Sequence, residues 1–196
     1  MPRRSVFGNY APASTPDSTI EAFVPNGTVP GHKPVPATAA GHTGLQESID
    51  LAVARSFVYH FLTRAFEDPV KDTWSYLTDA RTHHALHTAV RVMEKNSRTL
   101  EKSALALTER LRPEGFESYQ LAYVSAFGHA ARGVCPLNEI EYGDLKADPL
   151  FQPHRLADLA AFYRAFGLEL ADEAGERPDH IGMELEFMSI LSAKEA

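Results

Sequence analysis

The side chains most able to do chemistry in this sequence lie between residues 176 and 188. Asp179 and His180 are adjacent, and Glu184 follows on the same side of a helix. Two carboxylates and an imidazole in this arrangement can transfer protons, ligate a metal ion or bind a cationic group. The sequence has no nucleophile elbow, glycine-rich phosphate loop or second group of metal ligands that would favour catalysis. A metal-dependent enzyme that uses Asp179, His180 and Glu184 is therefore an alternative hypothesis only.

The side chains of Asp179, His180 and Glu184 must be positioned by a helix, and Pro178 marks where that helix begins. A proline fixes its own φ and disfavours helical backbone in the residue before it, so a helix is predicted to begin directly after Pro178. Asp179 is expected to cap the free N–H groups at the start of this helix. Ile181, Leu185 and Met188 then share one apolar face. On this pattern alone, the stretch is a capped amphipathic helix with a histidine at its surface.

The composition limits the classes of partner. The chain of 196 residues has 44% hydrophobic and 23% charged residues, which is typical of a globular protein. A net charge of −7 argues against nucleic acid or an anionic membrane surface as partner, and it is compatible with a cationic one. Cys135 is the only cysteine, so an internal disulfide and a thiolate metal site are excluded, and a reducing compartment is favoured. No apolar run is long enough to predict a membrane span.

The periodicity predicts an all-α fold, a single helical bundle of about seven helices in residues 43–196. Residues 1–42 are rich in Pro, Gly, Ser and Thr and are predicted to be a disordered tail. No strand-like alternation of any length is present. The predicted elements cover residues 43–66, a short amphipathic turn around Trp74, then 80–95, 97–111, 114–131, 153–166 with Gly167 as its terminator, and 179–196.

Residues 176–188 read Glu-x-Pro-Asp-His-Ile-Gly-x-Glu-Leu-x-Phe-Met. This order resembles the hinge signature of the TorD/DmsD/NarJ family, which comprises cytoplasmic chaperones that assist the maturation of molybdenum-containing respiratory enzymes. Two further segments are similar to family motifs. Tyr123-x-x-x-Phe127-Gly128 matches except that Ala126 replaces a leucine, and in Cys135–Tyr142 the residues Glu139 and Tyr142 match, whereas Leu137 and Asn138 replace proline and tyrosine.

The resemblance covers roughly residues 45–196 and implies a chaperone for assembly and cofactor insertion of a molybdopterin oxidoreductase. Such a protein binds the twin-arginine leader or the N-terminus of the catalytic subunit until the cofactor is inserted. The resemblance implies no catalytic residue, cofactor or metal of its own, a cytoplasmic location, a monomer or dimer, and a hinge-like connector at 168–180. Within the family, the resemblance favours the chaperones of the dimethylsulfide or ethylbenzene dehydrogenase and selenate or chlorate reductase type. Because family members usually continue beyond the signature, the C-terminus is expected to be shortened or truncated.

A peptide-binding site follows from this resemblance and from the local charge. Seven acids fall between 168 and 186 against one base, Arg177, which indicates either a solvated linker or a landing site for arginines. The leader is expected to lie as a helix in an apolar groove, with its arginines against the acids. The predicted peptide-binding residues are Glu176, Pro178, Asp179, His180, Glu184, Tyr123, Phe127, Glu139, Tyr142 and Trp74.

Two other hypotheses concern partners. The chain is alternatively a helical adaptor that binds a folded protein through an exposed apolar face. Arg3-Arg4 superficially resembles a twin-arginine export motif, but no apolar stretch follows it, so the sequence does not predict export. A more specific hypothesis is that Arg3-Arg4 mimics the leader of the client and occupies the peptide-binding groove of this same chain.

Overall fold

The computed structural model describes residue 7 and residues 39–94, 98–128, 135–142, 152–171 and 175–196. This part of the chain contains seven α-helices, two 3-10 turns, and no β-strand beyond two isolated bridges. The all-α prediction is confirmed. The helices are α1 (Ala39–Phe66), α2 (Lys71–Thr78), α3 (Ala80–Met93), α4 (Thr99–Arg110), α5 (Phe116–Phe127), α6 (Gln152–Ala165) and α7 (Ile181–Glu195); the turns are Pro113–Gly115 and Glu139–Glu141.

The N-terminal limit of α1 differs from the sequence expectation. The helix begins at Ala39 and not at Thr43, and it ends at Phe66 as predicted. The two alanines at 39 and 40 are strong helix formers and extend the helix before the expected cap. Residues 39–42 of the predicted tail therefore belong to α1, and the rest of that tail, apart from Phe7, lies outside the described residues.

Helix α1 is central because it packs along both α7 and α3. Apolar residues cover a broad surface of α1, which is typical of a helix that is contacted on more than one side. Small side chains let α7 approach closely: Ala52 and Ser192 are buried, and the hydroxyl of Ser189 donates to the carbonyl of Ser56 at 2.9 Å. This packing fixes the position of α7 on α1, and therefore also the position of the connector that leads into α7.

The described residues contain two apolar cores. The first is formed by side chains from α1, α2, α3 and α4, and the second by side chains from α6, α7, the residue Leu168 and Phe7. Gly167 directs the chain into the second core: it adopts a positive φ of 74°, and the amide of Leu168 donates to the carbonyl of Tyr163 at 3.1 Å. The first core contains Phe61, Trp74, Leu77, Leu86, Val90 and Ala104; the second contains Phe7, Tyr163, Leu168, Phe187 and Ile190.

None of the helices in the described ranges combines the length and the apolar character that crossing a bilayer requires.

Candidate functional site

The loop before α6 and the connector before α7 lie side by side, although they are far apart in the sequence. An antiparallel bridge joins Asn138 to His180. Beside it, the amide of Ile181 donates to the carbonyl of Leu137 at 2.8 Å. Two of the three segments that resemble family motifs, Cys135–Tyr142 and residues 176–188, therefore form one structural unit.

Asp179 is the centre of this unit and is only 3% exposed. Arg177 holds its carboxylate through two bonds, from Nε at 2.9 Å and from a terminal nitrogen at 2.7 Å. The amide of Ile140 and the side-chain amide of Asn138 donate to the same carboxylate at 3.2 and 3.3 Å. The carbonyl of Asp179 also accepts from the amide of Glu139 at 2.9 Å. Both carboxylate oxygens are thus engaged within the chain.

The cap of α7 is His180 and not Asp179, which corrects the sequence expectation. Nδ1 of His180 accepts from the amide of Gly182 at 3.1 Å, so the neutral ring carries its proton on Nε2. The reason is that Asp179 is drawn to Arg177 and to the neighbouring loop. A Cβ at Gly182 would lie 3.1 Å from Nδ1 of His180, so a larger residue at this position would require the ring to shift by a few tenths of an ångström. This close approach favours a glycine in the His-Ile-Gly order.

A cleft of about 620 Å³ opens between α6 and the joined loop and connector. Its volume falls within the range of ligand-binding pockets and has room for a few side chains of a bound peptide. Apolar side chains come from both walls. They are Ile140 from the loop and Leu156, Leu159 and Phe162 from α6.

The rim of the cleft is acidic. Glu139, Asp158 and Asp179 line it, and Arg155 is the single basic residue among its lining residues. Arg155 lies 4.0 Å from Glu139, and both side chains are more than half exposed, so this contact holds them only weakly. Glu139 and Asp158 are therefore available to a cationic group that enters from solvent.

Glu184 adds a carboxyl behind the cleft with an unusual environment. Burial, and after it the negative charges of Glu139 and Asp179, raises the pKa of Glu184 to about 7. One of its oxygens, Oε1, is buried without a hydrogen-bond partner among the described residues. Near neutral pH this carboxyl is therefore partly protonated, and an approaching cation would favour its charged form.

The Glu184→Gln variant is expected to be more stable than the unchanged protein at pH 8 but not at pH 5. Because the folded pKa is raised above the ordinary value of 4.5, the folded state binds more protons than the unfolded state between these values, and stability falls as pH rises towards 7. Glutamine does not ionise, so the variant does not lose this stability as the pH rises. The expected gain at pH 8 is about 1 kcal/mol, reduced from the full linkage value because the side chain is only partly buried. Urea unfolding at both pH values measures it.

Glu109→Gln is the control for this prediction, because Glu109 is exposed on α4 and far along the chain from the cleft. It should show the same unfolding free energy as the unchanged protein at both pH values. A Glu184→Gln variant that gains equally at pH 5 and pH 8 would contradict a role for ionisation of Glu184.

The structure brings together six of the ten predicted peptide-binding residues. Glu139 and Asp179 line the cleft directly, as does Tyr142, which is exposed and donates to the carbonyl of Pro136 at 2.7 Å. The remaining three lie in or next to the connector: Pro178, whose carbonyl accepts from the hydroxyl of Tyr163 at 2.9 Å, His180 and Glu184.

The other four predicted residues lie outside the cleft. Trp74 is buried in the first core, and the hydroxyl of Tyr123 donates to the carbonyl of Phe66 at 2.9 Å. Phe127 packs against Phe66 and Tyr123. Glu176 is exposed, and burial followed by negative charges that include Glu176 raises the pKa of Tyr123. A role for these four in peptide binding stays a prediction.

Sequence reasoning missed several residues that build the site. Arg177 was noted only as the single base among acids, yet it holds Asp179. Tyr163 on α6 donates its hydroxyl to the connector, and no motif indicates this bond. Arg155, Asp158 and Phe162 line the cleft from α6, and no motif identified them.

The described residues contain no group of three or more His, Cys, Asp or Glu side chains arranged to hold a metal ion.

The fold and the site define an all-α protein with an acidic cleft beside a proline-led helix start. The chain belongs to the nitrate reductase delta subunit family, a NarJ/TorD-type family, whose model matches residues 93–196. This match contains α6, α7 and the whole cleft, and it confirms the family that the hinge signature predicted.

Two curated relatives are similar over most of this chain. The perchlorate reductase assembly chaperone protein of Dechloromonas aromatica (strain RCB) is 27% identical over 155 residues, which is 76% of this chain and 65% of the relative. The dimethyl sulfide dehydrogenase assembly chaperone protein of Rhodovulum sulfidophilum is 34% identical over 157 residues, which is 75% of this chain and 58% of the relative. The chain therefore spans about three fifths of the length of these relatives. No solved structure matches it significantly.

Proposed function

We propose that this protein is a cytoplasmic chaperone for the assembly of a molybdopterin oxidoreductase. It binds the twin-arginine leader or the N-terminus of the catalytic subunit before cofactor insertion, and it is not an enzyme. The names of the two relatives support the assembly role, and they favour a client of the perchlorate reductase or dimethyl sulfide dehydrogenase kind.

The observation that carries the proposal is the acidic, partly apolar cleft. Leu156, Leu159 and Phe162 offer an apolar floor for leader side chains, whereas Glu139 and Asp158 offer exposed carboxylates for arginines. Arginine pairs well with carboxylates because its planar group donates two parallel hydrogen bonds. A peptide that is both apolar and basic therefore matches the two surfaces of the cleft.

Asp179 contributes through the electrostatic field of its carboxylate and by shaping the wall of the cleft. It does not offer a free carboxylate to the peptide. Its carboxylate already accepts from Arg177 and from the loop, so an incoming arginine would need to displace an existing bond. The same engagement argues against an acid–base role for Asp179 and His180, since the ring of His180 is used to cap α7. The chemistry at the connector is structural, which supports a binding protein over the alternative enzyme.

Neutralising the rim is expected to weaken leader binding. The double variant Glu139→Gln with Asp158→Asn should lower the affinity for a synthetic leader peptide, containing an arginine pair, a phenylalanine and an apolar stretch, by roughly fivefold, or about 1 kcal/mol. The remaining affinity should depend less on salt, because two solvent-exposed charge contacts are lost. Isothermal titration calorimetry at low and high ionic strength measures both effects.

The matched control is Glu109→Gln with Glu114→Gln, which changes the net charge equally at exposed positions outside the cleft. This control should bind the leader peptide as the unchanged protein does. Equal affinity of the rim variant and the control would remove the cleft from the proposal, and absence of leader binding by the unchanged protein would remove the proposal itself.

Helix α5 favours a second candidate, a helical adaptor for a folded partner. Leu121 is 74% exposed and Val124 is also exposed, so an apolar face of α5 is open to solvent. Under this alternative, the protein would bind a mature oxidoreductase subunit that lacks its leader. Pull-down with the mature subunit and with the leader peptide in parallel separates the two candidates.

A further inference from the structure

Phe7 occupies a closed apolar slot in the second core. Its side chain is 0% exposed. The ring lies edge-on to Tyr163 at a centroid distance of 5.4 Å and tilted against Phe187 at 6.4 Å. Leu168 and Ile190 belong to the same cluster. We call this set of four residues, Tyr163, Leu168, Phe187 and Ile190, the Phe7 slot.

The backbone of Phe7 also pairs with the chain that leaves α6. Phe7 forms an antiparallel bridge with Leu170, so this residue docks in an extended conformation. Extended peptides commonly bind by adding to a backbone edge, while pockets accept alternate side chains. The Phe7 slot therefore has the form of a peptide subsite that selects one aromatic side chain.

The connection between Phe7 and the helical domain is long. Thirty-one residues, 8–38, separate Phe7 from the start of α1 at Ala39. A contact between parts of one chain that lie so far apart in the sequence has a finite effective concentration, as the binding of a tethered ligand has. A competing peptide with the same side chain can therefore replace it.

The Phe7 slot adjoins the cleft through Phe162. Phe162 lines the cleft and also lies 5.6 Å from Phe187 and 6.5 Å from Tyr163, measured between ring centroids. The hydroxyl of Tyr163 binds the carbonyl of Pro178, directly before Asp179. A peptide that fills both places would set its aromatic side chain on one side of α6 and its basic residues at the acidic rim.

We propose that the Phe7 slot is an aromatic subsite for the client peptide and that the N-terminal segment of the chain is its built-in competitor. This segment carries Arg3 and Arg4 ahead of Phe7, the same kinds of residue that the cleft and the slot would take from a client. A client peptide with an arginine pair followed by a phenylalanine displaces the segment when it binds. This inference rests on the proposed function, because it specifies how that client is selected.

The full-length Phe7→Ala variant tests the competition. Its affinity for the synthetic leader peptide should rise by about tenfold, since an intramolecular competitor has been removed. A synthetic peptide of residues 1–10 should bind the Phe7→Ala protein, and the same peptide with its phenylalanine replaced by alanine should not. The Phe7→Leu variant, which keeps an apolar side chain in the slot, should give a smaller gain and covers the case in which Phe7→Ala does not fold.

The outcomes separate the inference from the proposed function. Leader binding by the unchanged protein without any gain in Phe7→Ala or Phe7→Leu would overturn the inference and leave the proposed function in place. Failure of the unchanged protein and both variants to bind any leader peptide would overturn the proposed function. In that case, failure of the peptide of residues 1–10 to bind the Phe7→Ala protein would overturn the slot as well.

Discussion

Replacing Trp74 with alanine is expected to lower the free energy of unfolding by about 4 kcal/mol. The indole is 6% exposed and packs with Phe61 and Leu77 in the first core. It stacks on Tyr119 at 4.7 Å, and its N–H donates to the carbonyl of Pro113 at 3.0 Å. The substitution therefore leaves a large cavity and one carbonyl without its donor. Urea unfolding followed by far-ultraviolet circular dichroism measures the loss.

Leader binding decides whether Trp74 is also a binding residue. Trp74→Phe keeps an aromatic ring and should remain folded, with unchanged affinity for the leader peptide if Trp74 acts only in the core. Val70→Ala is the control for stability, because Val70 is exposed at the start of α2 and should change it by less than about 0.5 kcal/mol. Weaker leader binding by a folded Trp74→Phe protein would support the placement of Trp74 in the peptide site.

The helices were largely predictable because their signals are local. Gly167 was expected to end α6, and it does so with a positive φ that only glycine adopts readily. Asp79 caps α3 by accepting from the amides of Arg81 and Thr82, in agreement with the predicted start near residue 80. Such features depend on residues within one turn of each other, so sequence spacing is sufficient to find them.

The site was less predictable because its contacts join distant segments. The cap at Asp179 failed because Ile140 and Asn138 compete for the same carboxylate from a loop about forty positions earlier. Periodicity cannot reveal which loop lies beside a helix start. The resemblance brought Glu139 and Tyr142 into the predicted site, but the α6 wall, which includes Asp158, matched no motif.

Phe7 shows the limit of composition as a guide. A segment rich in Pro, Gly, Ser and Thr predicts that few side chains will be buried, and it says nothing about a single aromatic residue. Whether that residue is buried depends on a slot built by Tyr163 and Phe187, more than 150 positions later. Long-range complementarity of this kind can be seen only in three dimensions.

The Asp179→Ala variant is expected to lose about 3 kcal/mol of unfolding free energy. The substitution leaves the buried amide of Ile140 without an acceptor and removes the partner of Arg177. The loss should stay below that of a fully buried ion pair, because Arg177 is partly exposed and lies 3.8 Å from Glu141, to which it can turn. Urea unfolding of Asp179→Ala, Arg177→Ala and the double variant gives the coupling energy of the pair.

Asp158→Ala is the matched control, since it removes an exposed carboxylate from the same cleft and should change stability by less than about 0.5 kcal/mol. The pair of variants separates two roles for acids at this site. If Asp179 holds the loop against the connector, its loss weakens stability and leader binding together, whereas loss of Asp158 weakens binding alone. An Asp179→Ala protein of unchanged stability that no longer binds the leader peptide would instead make Asp179 a direct partner of the incoming arginine, and the ion pair with Arg177 would then be what the client exchanges.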